Sequence, residues 1–266
     1  MDADQIVAAL GRAADAIGER LRFSSDWGLV EGSDHLHHSD VAADKAGLKV
    51  LHEAGFMVLS EESGLTGSGD LTVVLDPLDG STNAAQRLPW YATSLCAIAE
   101  DGPVAAIVVN LATGDRYEAA RGLGARCNGE TIRPSGVRRL SDAVIGLSAL
   151  PPRALGWRQF RCLGAAALDL CAVADGRLDG YVDCGVDAHG SWDYLGGMLV
   201  CEEAGVAVAD ALGRDLVVLD HAARRTPVAA ATPGMLNELL EARAELYPPQ
   251  MSPEDTAGSR PAGDGL

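Results

Sequence analysis

Asp76-Pro77-Leu78-Asp79-Gly80-Ser81-Thr82-Asn83 places two carboxylates three residues apart and follows them with hydroxyl and amide side chains. Oxygen donors of this kind suit a hard cation such as Mg²⁺. Pro77 fixes φ between the acids, and Gly80 lets backbone approach a ligand closely. The same residue types are also the commonest turn formers, so the octet alone fits a solvated turn equally well. Acids recur at two other points, Glu61-Glu62-Ser63-Gly64 and Ser191-Trp192-Asp193-Tyr194.

The elements that must position these acids are legible as hydrophobic runs. Leu71-Thr72-Val73-Val74-Leu75 reads as a buried strand that delivers Asp76 and Asp79 into a turn at its end. A second short strand, 56–60, ends at Glu61, and a helix over 192–204, stopped by Gly205, carries Asp193 in its first turn. Residues 3–22 have helical spacing, with Ile6, Leu10, Ala13, Ala14, Ile17 and Leu21 on one face. A helix over 40–54 takes Asp40 as N-cap, with Gly55 past its end. The runs 92–99 and 104–109 about a turn at 100–102 predict a hairpin, and 116–120 another strand. After Pro134 the pattern alternates: strands at 144–148, 178–183, 206–209, 215–219 and 227–231, helices at 165–174 and 234–246. The organisation expected is an α+β half over 1–140 carrying the Glu-Glu and Asp-Pro-Leu-Asp motifs, and an α/β half over 141–247 carrying Trp-Asp. The Pro/Gly/Ser/Asp-rich tail, 248–266, is expected to be disordered.

Composition narrows the function classes. The chain has 266 residues, 47% of them hydrophobic, which is a globular composition. No apolar run approaches the ~20 residues that cross a bilayer, and the acidic N-terminus lacks the basic start of a secretory signal. A cytoplasmic location is the expectation. A net charge of −17 would repel nucleic acid and anionic membranes. Any anionic small ligand would be repelled likewise unless cations occupied its site. Six cysteines, none in a Cys-x-x-Cys pair and several in apolar runs, read as buried thiols. Cys184 lies beside a candidate substrate loop.

The three acidic motifs, in this order, resemble those of the inositol monophosphatase family of Mg²⁺-dependent, lithium-sensitive phosphatases, over roughly residues 40–240. The family pattern is Gly-Glu-Glu, then Asp-Pro-(Ile/Leu)-Asp-Gly-(Thr/Ser)-x-Asn, then Trp-Asp-x-x-(Ala/Gly)-Gly. The resemblance implies a layered α-β-α-β-α sandwich, a site between its halves, two or three Mg²⁺ ions and a homodimer. It implies Glu61, Asp76, Asp79, Asp193 and the Leu78 carbonyl as metal ligands. Four carboxylates on one small site demand neutralising cations. Ser81, helped by Glu61, would orient the attacking water, and backbone N–H groups of Gly80 and Ser81 would hold phosphate. Asp79 and Asp193 would also face substrate. Thr82 and Asn83 hold the turn, and Trp192 packs.

Other positions carry the resemblance less closely. Gly164-Ala165-Ala166 is similar to the family's Gly-(Ser/Thr)-Ala, whose last alanine, Ala166 here, lies near substrate; Ala165 replaces the hydroxyl residue. Asp183 or Asp187 would grip substrate hydroxyls. Asp44 matches the family's aspartate behind the metal site. Val41 stands where threonine is usual, and His35, His37 and His38 replace a segment that carries a lysine. Three histidines suit either a transition metal or a polar loop.

The function implied is phosphomonoester hydrolysis of a small sugar or polyol phosphate, with myo-inositol monophosphate foremost. Histidinol phosphate, fructose 1,6-bisphosphate and 3′-phosphoadenosine phosphates are alternative substrates. A non-catalytic inositol-phosphate binder is the alternative of another class. A haloacid-dehalogenase site needs its two acids two apart, and here they are three apart. An EF-hand counted from Asp76 would place Leu78, Gly80 and Arg87 at ligand positions, so it fails.

Overall fold

The helical face of residues 3–22 becomes α1 (Ala3–Arg22), with all six predicted apolar side chains buried. Asp2 accepts the Gln5 N–H at 2.8 Å, and the Gln5 side chain accepts the Asp2 N–H at 3.1 Å. That reciprocal pair satisfies two donors the helix itself leaves over. The computed structural model describes residues 1–24, 26–32 and 37–246. His35 and the expected disordered tail from 248 lie outside the described residues.

The second helix, α2 (His38–Glu53), starts two residues before the expected position. His37, not Asp40, occupies the N-cap position. Asp40 lies three residues further on, and its carboxylate accepts the His37 N–H at 2.7 Å. An acid is favourable at the cap and throughout the first turn, so residue type does not choose between them.

The chain then builds β1 (Met57–Ser60), β2 (Gly64–Gly67), β3 (Thr72–Asp79), the short α3 (Ser81–Ala85), β4 (Ala92–Ala99), β5 (Gly102–Asn110), β6 (Arg116–Ala120), β7 (Gly124–Cys127) and β8 (Glu130–Thr131). These strands form one eight-stranded sheet in the order β2-β1-β3-β4-β5-β6-β7-β8. All neighbours are antiparallel except β1 and β3, which are parallel. The turn expected at Asp76–Asp79 is part of β3. The register slips between Asp76, opposite Ser94, and Asp79, opposite Ala92. Pro77 sits in that slip, where its missing N–H costs no ladder bond.

The second sheet comprises β9 (Val144–Ser148), β10 (Gln159–Arg161), β11 (Gly180–Asp183), β12 (Ala207–Asp210) and β13 (Pro227–Ala230), ordered β10-β9-β11-β13-β12. Helices α4 (Ala166–Ala174), α5 (Ser191–Ala204) and α6 (Pro233–Ala244) complete the chain. The strand expected at 215–219 does not form. Its backbone is taken up by side chains: Tyr194 Oη donates to Leu216 O at 2.7 Å, Arg225 Nε donates to Asp215 O at 2.6 Å, and the Val217 N–H donates to Asp215 Oδ1 at 2.9 Å. β12 pairs directly with β13 instead.

Three buried clusters define the layers. Apolar faces of α1 and α2 pack on one side of the large sheet. α4 and α5 fill the space between its other side and the small sheet. α6 covers the far side of the small sheet. This is the layered α-β-α-β-α sandwich. None of the six cysteines is in a disulfide, and Cys96, Cys171, Cys184 and Cys201 are buried. Among the described residues, no helix is long and apolar enough to cross a membrane.

Candidate functional site

Parallel pairing of β1 with β3 sets Ser60 opposite Leu75. The next residue on each strand is an acid, so Glu61 and Asp76 emerge side by side at two carboxyl ends. The Glu61 N–H donates to Leu75 O at 3.1 Å and fixes that exit. Asp76 is 1% exposed; its Oδ1 accepts the Leu78 N–H at 3.0 Å. Asp79 Oδ2 accepts the Ala167 N–H, at the start of α4, at 2.8 Å.

Gly80 then turns the chain into α3 with φ +84°. A Cβ there would lie 3.1 Å from both Gly164 O and Trp90 O. Asn83 does more than hold a local turn: its Nδ2 donates to Trp90 O at 2.8 Å and to Leu163 O at 2.7 Å. The 76–83 corner is thereby tied to the approach to α4.

Asp193 comes from the other side. It is the third residue of α5, and its Oδ2 accepts the Gly190 N–H at 2.7 Å. α5 reaches this position by packing very close to β4: a Cβ on Gly196 would lie 2.4 Å from Ser94 Oγ. Gly196 of the Trp-Asp-x-x-Gly-Gly motif leaves room for that hydroxyl and for Val108, whose side chain would lie 3.2 Å from the same Cβ.

These side chains face a cavity of about 400 Å³ lined by Asp40, Glu61, Glu62, Asp76, Asp79 and Asp193, with Leu78, Gly80 and Ser81. A larger cavity, about 670 Å³ beside α1, has two acids, Asp15 and Glu19. Asp15 is paired there with Arg116. Chemistry, not volume, selects the smaller one.

Burial and mutual repulsion push the site acids upward. Glu61 rises from 4.5 to about 9, through burial first, then Asp193, Glu62, Asp79 and Asp40. Asp79 rises from 3.8 to about 7, through burial and then Asp193. Asp76 is held well above its ordinary range by burial and Glu61. Glu62 rises from 4.5 to about 7 through burial, Asp40 and Asp44. Asp40 is raised by burial, and its Oδ1 is buried without a hydrogen-bond partner.

This all-oxygen donor set fits a hard divalent cation, which would remove both the repulsion and the orphaned oxygen. Among the described residues, no three His, Cys, Asp or Glu side chains already converge on one point as a metal cage. The acids face a shared volume instead. Mg²⁺ suits such a site, since it keeps several waters and takes one or two carboxylates directly.

The remaining expected residues surround the cavity without lining it. Both oxygens of Asp44 are taken, by Ser60 Oγ at 2.5 Å and by Ser63 Oγ, so it braces the Glu61–Glu62 turn from behind. Ala166 is buried at the start of α4, next to the Asp79–Ala167 bond. Asp183 is fully buried beneath His189, 3.9 Å away, and its own Oδ1 accepts the Gly185 N–H at 2.7 Å. Asp187 pairs with Arg214 at 2.6 Å, outside the cavity. His37 Nδ1 lies 2.8 Å from Trp27 O, and His38 lies 4.0 Å from Asp26. Neither imidazole ring is hydrogen-bonded to a cavity acid; His37 reaches Asp40 only through its backbone N–H.

Sequence reasoning missed one wall. His221 and Arg224 line the cavity beside the acids, together with Trp192, which is buried as the packing residue expected. The signal available was a short basic run, His221 to Arg225, in a strongly acidic chain. His189 was also missed: its Nδ1 lies 3.3 Å from Asp193 Oδ2, and its Nε2 lies 3.1 Å from Tyr181 Oη and 3.2 Å from Ser148 Oγ.

Comparison with known proteins identifies the family and the fold. The family model described as the inositol monophosphatase family matches residues 3–247. An Archaeoglobus fulgidus protein named fructose-1,6-bisphosphatase/inositol-1-monophosphatase is 36% identical over 196 residues, 72% of this chain and 76% of that protein. Inositol-1-monophosphatase SuhB of Mycobacterium tuberculosis is 37% identical over 218 residues, 71% of this chain and 70% of its own length. The solved structure of an inositol monophosphatase from Anabaena (Nostoc) sp. PCC 7120 superposes with a TM-score of 0.75 at 26% identity, covering 92% of this chain and 97% of the other.

Proposed function

This chain belongs to the inositol monophosphatase family of phosphatases, and we propose that it is a Mg²⁺-dependent phosphomonoesterase acting on a small sugar or polyol phosphate, myo-inositol monophosphate foremost. The carrying observation is the convergence of Glu61, Asp76, Asp79 and Asp193 on one cavity, with burial and mutual repulsion raising the first three. Such a set is costly to keep charged without cations and inexpensive with them.

Glu61, Asp76, Asp79, Asp193 and the Leu78 carbonyl would hold two or three ions. Bound Mg²⁺ supplies Lewis-acid chemistry, offsetting charge on the phosphoryl group and making water a better nucleophile at neutral pH. Ser81, helped by Glu61, would orient the attacking water. Gly80 and Ser81 present backbone N–H groups to the phosphoryl oxygens as α3 begins. Asp183 and Ala166 shape the substrate side from behind Asp193 and Asp79. Inhibition by Li⁺, a homodimeric assembly and a cytoplasmic site of action accompany the family reading.

Phosphate release tests this directly. Myo-inositol monophosphate, fructose 1,6-bisphosphate, histidinol phosphate and 3′-phosphoadenosine phosphate are each offered with Mg²⁺ and with chelator. Fructose 1,6-bisphosphate belongs in the panel because the Archaeoglobus fulgidus relative carries both names. Release that requires Mg²⁺ and is greatest with the inositol ester is the expected result. Release of equal size in chelator removes the metal mechanism, and binding without release on every substrate favours a non-catalytic binder.

A further inference from the structure

Asp193 differs from Asp76 and Asp79 in what holds it. Those two accept backbone N–H groups, from Leu78 and Ala167. Asp193 accepts a backbone N–H as well, from Gly190 at 2.7 Å, but it also meets a side chain: His189 Nδ1 lies 3.3 Å from the same oxygen, Oδ2. Both contacts fall on Oδ2, so Oδ1 is the oxygen left for the cavity that Asp193 lines. An ionised carboxylate only accepts, so Nδ1 carries the proton of this bond.

His189 stands in none of the three acidic motifs; it lies in the connection between β11 and α5. Its backbone is pinned by Arg225: the His189 N–H donates to Arg225 O at 3.3 Å, and the Arg225 N–H donates to His189 O at 2.8 Å. Its ring is pinned at the far end, where Nε2 lies 3.1 Å from Tyr181 Oη on β11 and 3.2 Å from Ser148 Oγ on β9. With the proton on Nδ1, a neutral ring accepts at Nε2 from one of these hydroxyls. Asp183 Oδ2, 3.9 Å from Nε2, is beyond hydrogen-bond length.

One N–H donor leaves a carboxylate free to turn about its last bond. A second donor, on a ring that is itself held at both ends, fixes its plane. The oxygen offered to a cation then stands in place before the ion arrives. The same ring ties the first turn of α5 to β9 and β11 of the small sheet. Asp76 and Asp79 belong to β3 of the large sheet, so this bond sets the acid from one half against the acids from the other.

We infer that His189 is a positioning residue: it holds the Asp193 carboxylate with Oδ1 toward the cavity, while Tyr181 and Ser148 hold His189. It acts through Asp193. This assignment rests on the reading of Asp193 as a metal ligand.

Calorimetric titration of the metal-free chain with Mg²⁺ tests it, with thermal melts in chelator to confirm folding. His189→Asn keeps an amide donor where Nδ1 stands but cannot reach Tyr181. His189→Gln reaches toward Tyr181 and loses the Nδ1 donor. His189→Asn should bind Mg²⁺ within about threefold of wild type, and His189→Gln about tenfold more weakly, the lower end of what an outer partner of a metal site costs. Excess Mg²⁺ should restore most of kcat in His189→Gln, with the half-maximal rate reached at higher Mg²⁺. Wild-type Mg²⁺ affinity in His189→Gln overturns the assignment. An equal loss in His189→Asn and His189→Gln also overturns it, since packing rather than the Nδ1 bond would be the cause. If His189→Gln does not fold, Ser148→Ala combined with Tyr181→Phe removes both partners of Nε2 and leaves the ring: Mg²⁺ binding weakened by about threefold or more supports the role, and unchanged binding ends it. Wild type that binds no Mg²⁺ refutes the metal reading, and the positioning role with it; failure of the positioning role alone leaves wild-type binding intact.

Discussion

Asp79 uses one carboxylate for two purposes. One oxygen accepts the Ala167 N–H and so anchors α4, and the group as a whole faces the cavity. Asparagine keeps an acceptor for Ala167 and removes the charge. Asp79→Asn should therefore keep the fold and lose at least ~100-fold in turnover, the upper end of what an outer partner of a metal site costs; kcat against circular dichroism checks both halves. In chelator at pH 8 the same variant should melt above wild type, because a buried charge has gone. Asp44 acts one step back, through Ser60 and Ser63. Asp44→Ala should cost about 10–100-fold and move the Mg²⁺ titration to higher concentration. An unchanged Mg²⁺ titration with normal turnover would deny it any part in placing Glu61. Acids at motif positions are readable from sequence because their types and order are distinctive. His221 and Arg224 are not, because the contact that holds their loop to the acids, His221 to Glu61 O, spans 160 residues.

Among the elements, the corner from Asp76 to Asn83 shows what local pattern supplies and where it stops. The apolar run and the proline predict a strand that ends in a turn; the strand instead continues through both acids, slipping register at Pro77. Strand pairing with β4 decides this, and pairing is a nonlocal fact. Runs with strong alternation or dense β-branching emerged at their expected limits, as 116–120 and 144–148 did. Four short strands went unread, β2, β7, β8 and β10, since two to four residues bounded by glycine or polar groups look like turns. The segment 215–219 looked like a strand, and side-chain hydrogen bonds took its place in the sheet. The most exacting element is the Gly80 turn. Gly80→Ala combines φ +84° with two carbonyls 3.1 Å from the new Cβ. It should destabilise by about 1–3 kcal/mol, the cost of a residue forced into a sparse backbone region. Denaturant unfolding with Mg²⁺ present measures this; a variant as stable as wild type would mean the corner relaxes freely.

At the scale of the whole molecule, periodicity yields helices and strands in order, but the stacking of five layers follows from which faces find partners. The family resemblance implied it, and the three buried clusters display it. That stacking drives carboxylates from β1, β3 and α5 into one interior corner, which couples global stability to pH and to metal. Glu61 is raised from 4.5 to about 9, Glu62 from 4.5 to about 7 and Asp79 from 3.8 to about 7. A carboxyl raised on folding is more easily charged in the unfolded chain. Its stabilising contribution is full below the unfolded value and is lost as pH climbs to the folded one. Metal-free protein should therefore lose stability steadily from about pH 5 to about pH 9. Saturating Mg²⁺ should flatten that decline by holding the carboxylates ionised, and should release protons on binding. The net charge of −17 adds a surface repulsion of the same sign. Sodium chloride separates the two, because it screens exposed charge and reaches buried pairs far less. Thermal melts across that pH range, in chelator, in chelator with added salt, and in Mg²⁺, give the answer. The expected order of melting temperatures at pH 8.5 is Mg²⁺ highest, chelator with salt between, chelator lowest. A metal-free curve that stays level from pH 5 to pH 9, or salt that replaces Mg²⁺ fully, would show that these acids do not share a cation-demanding site.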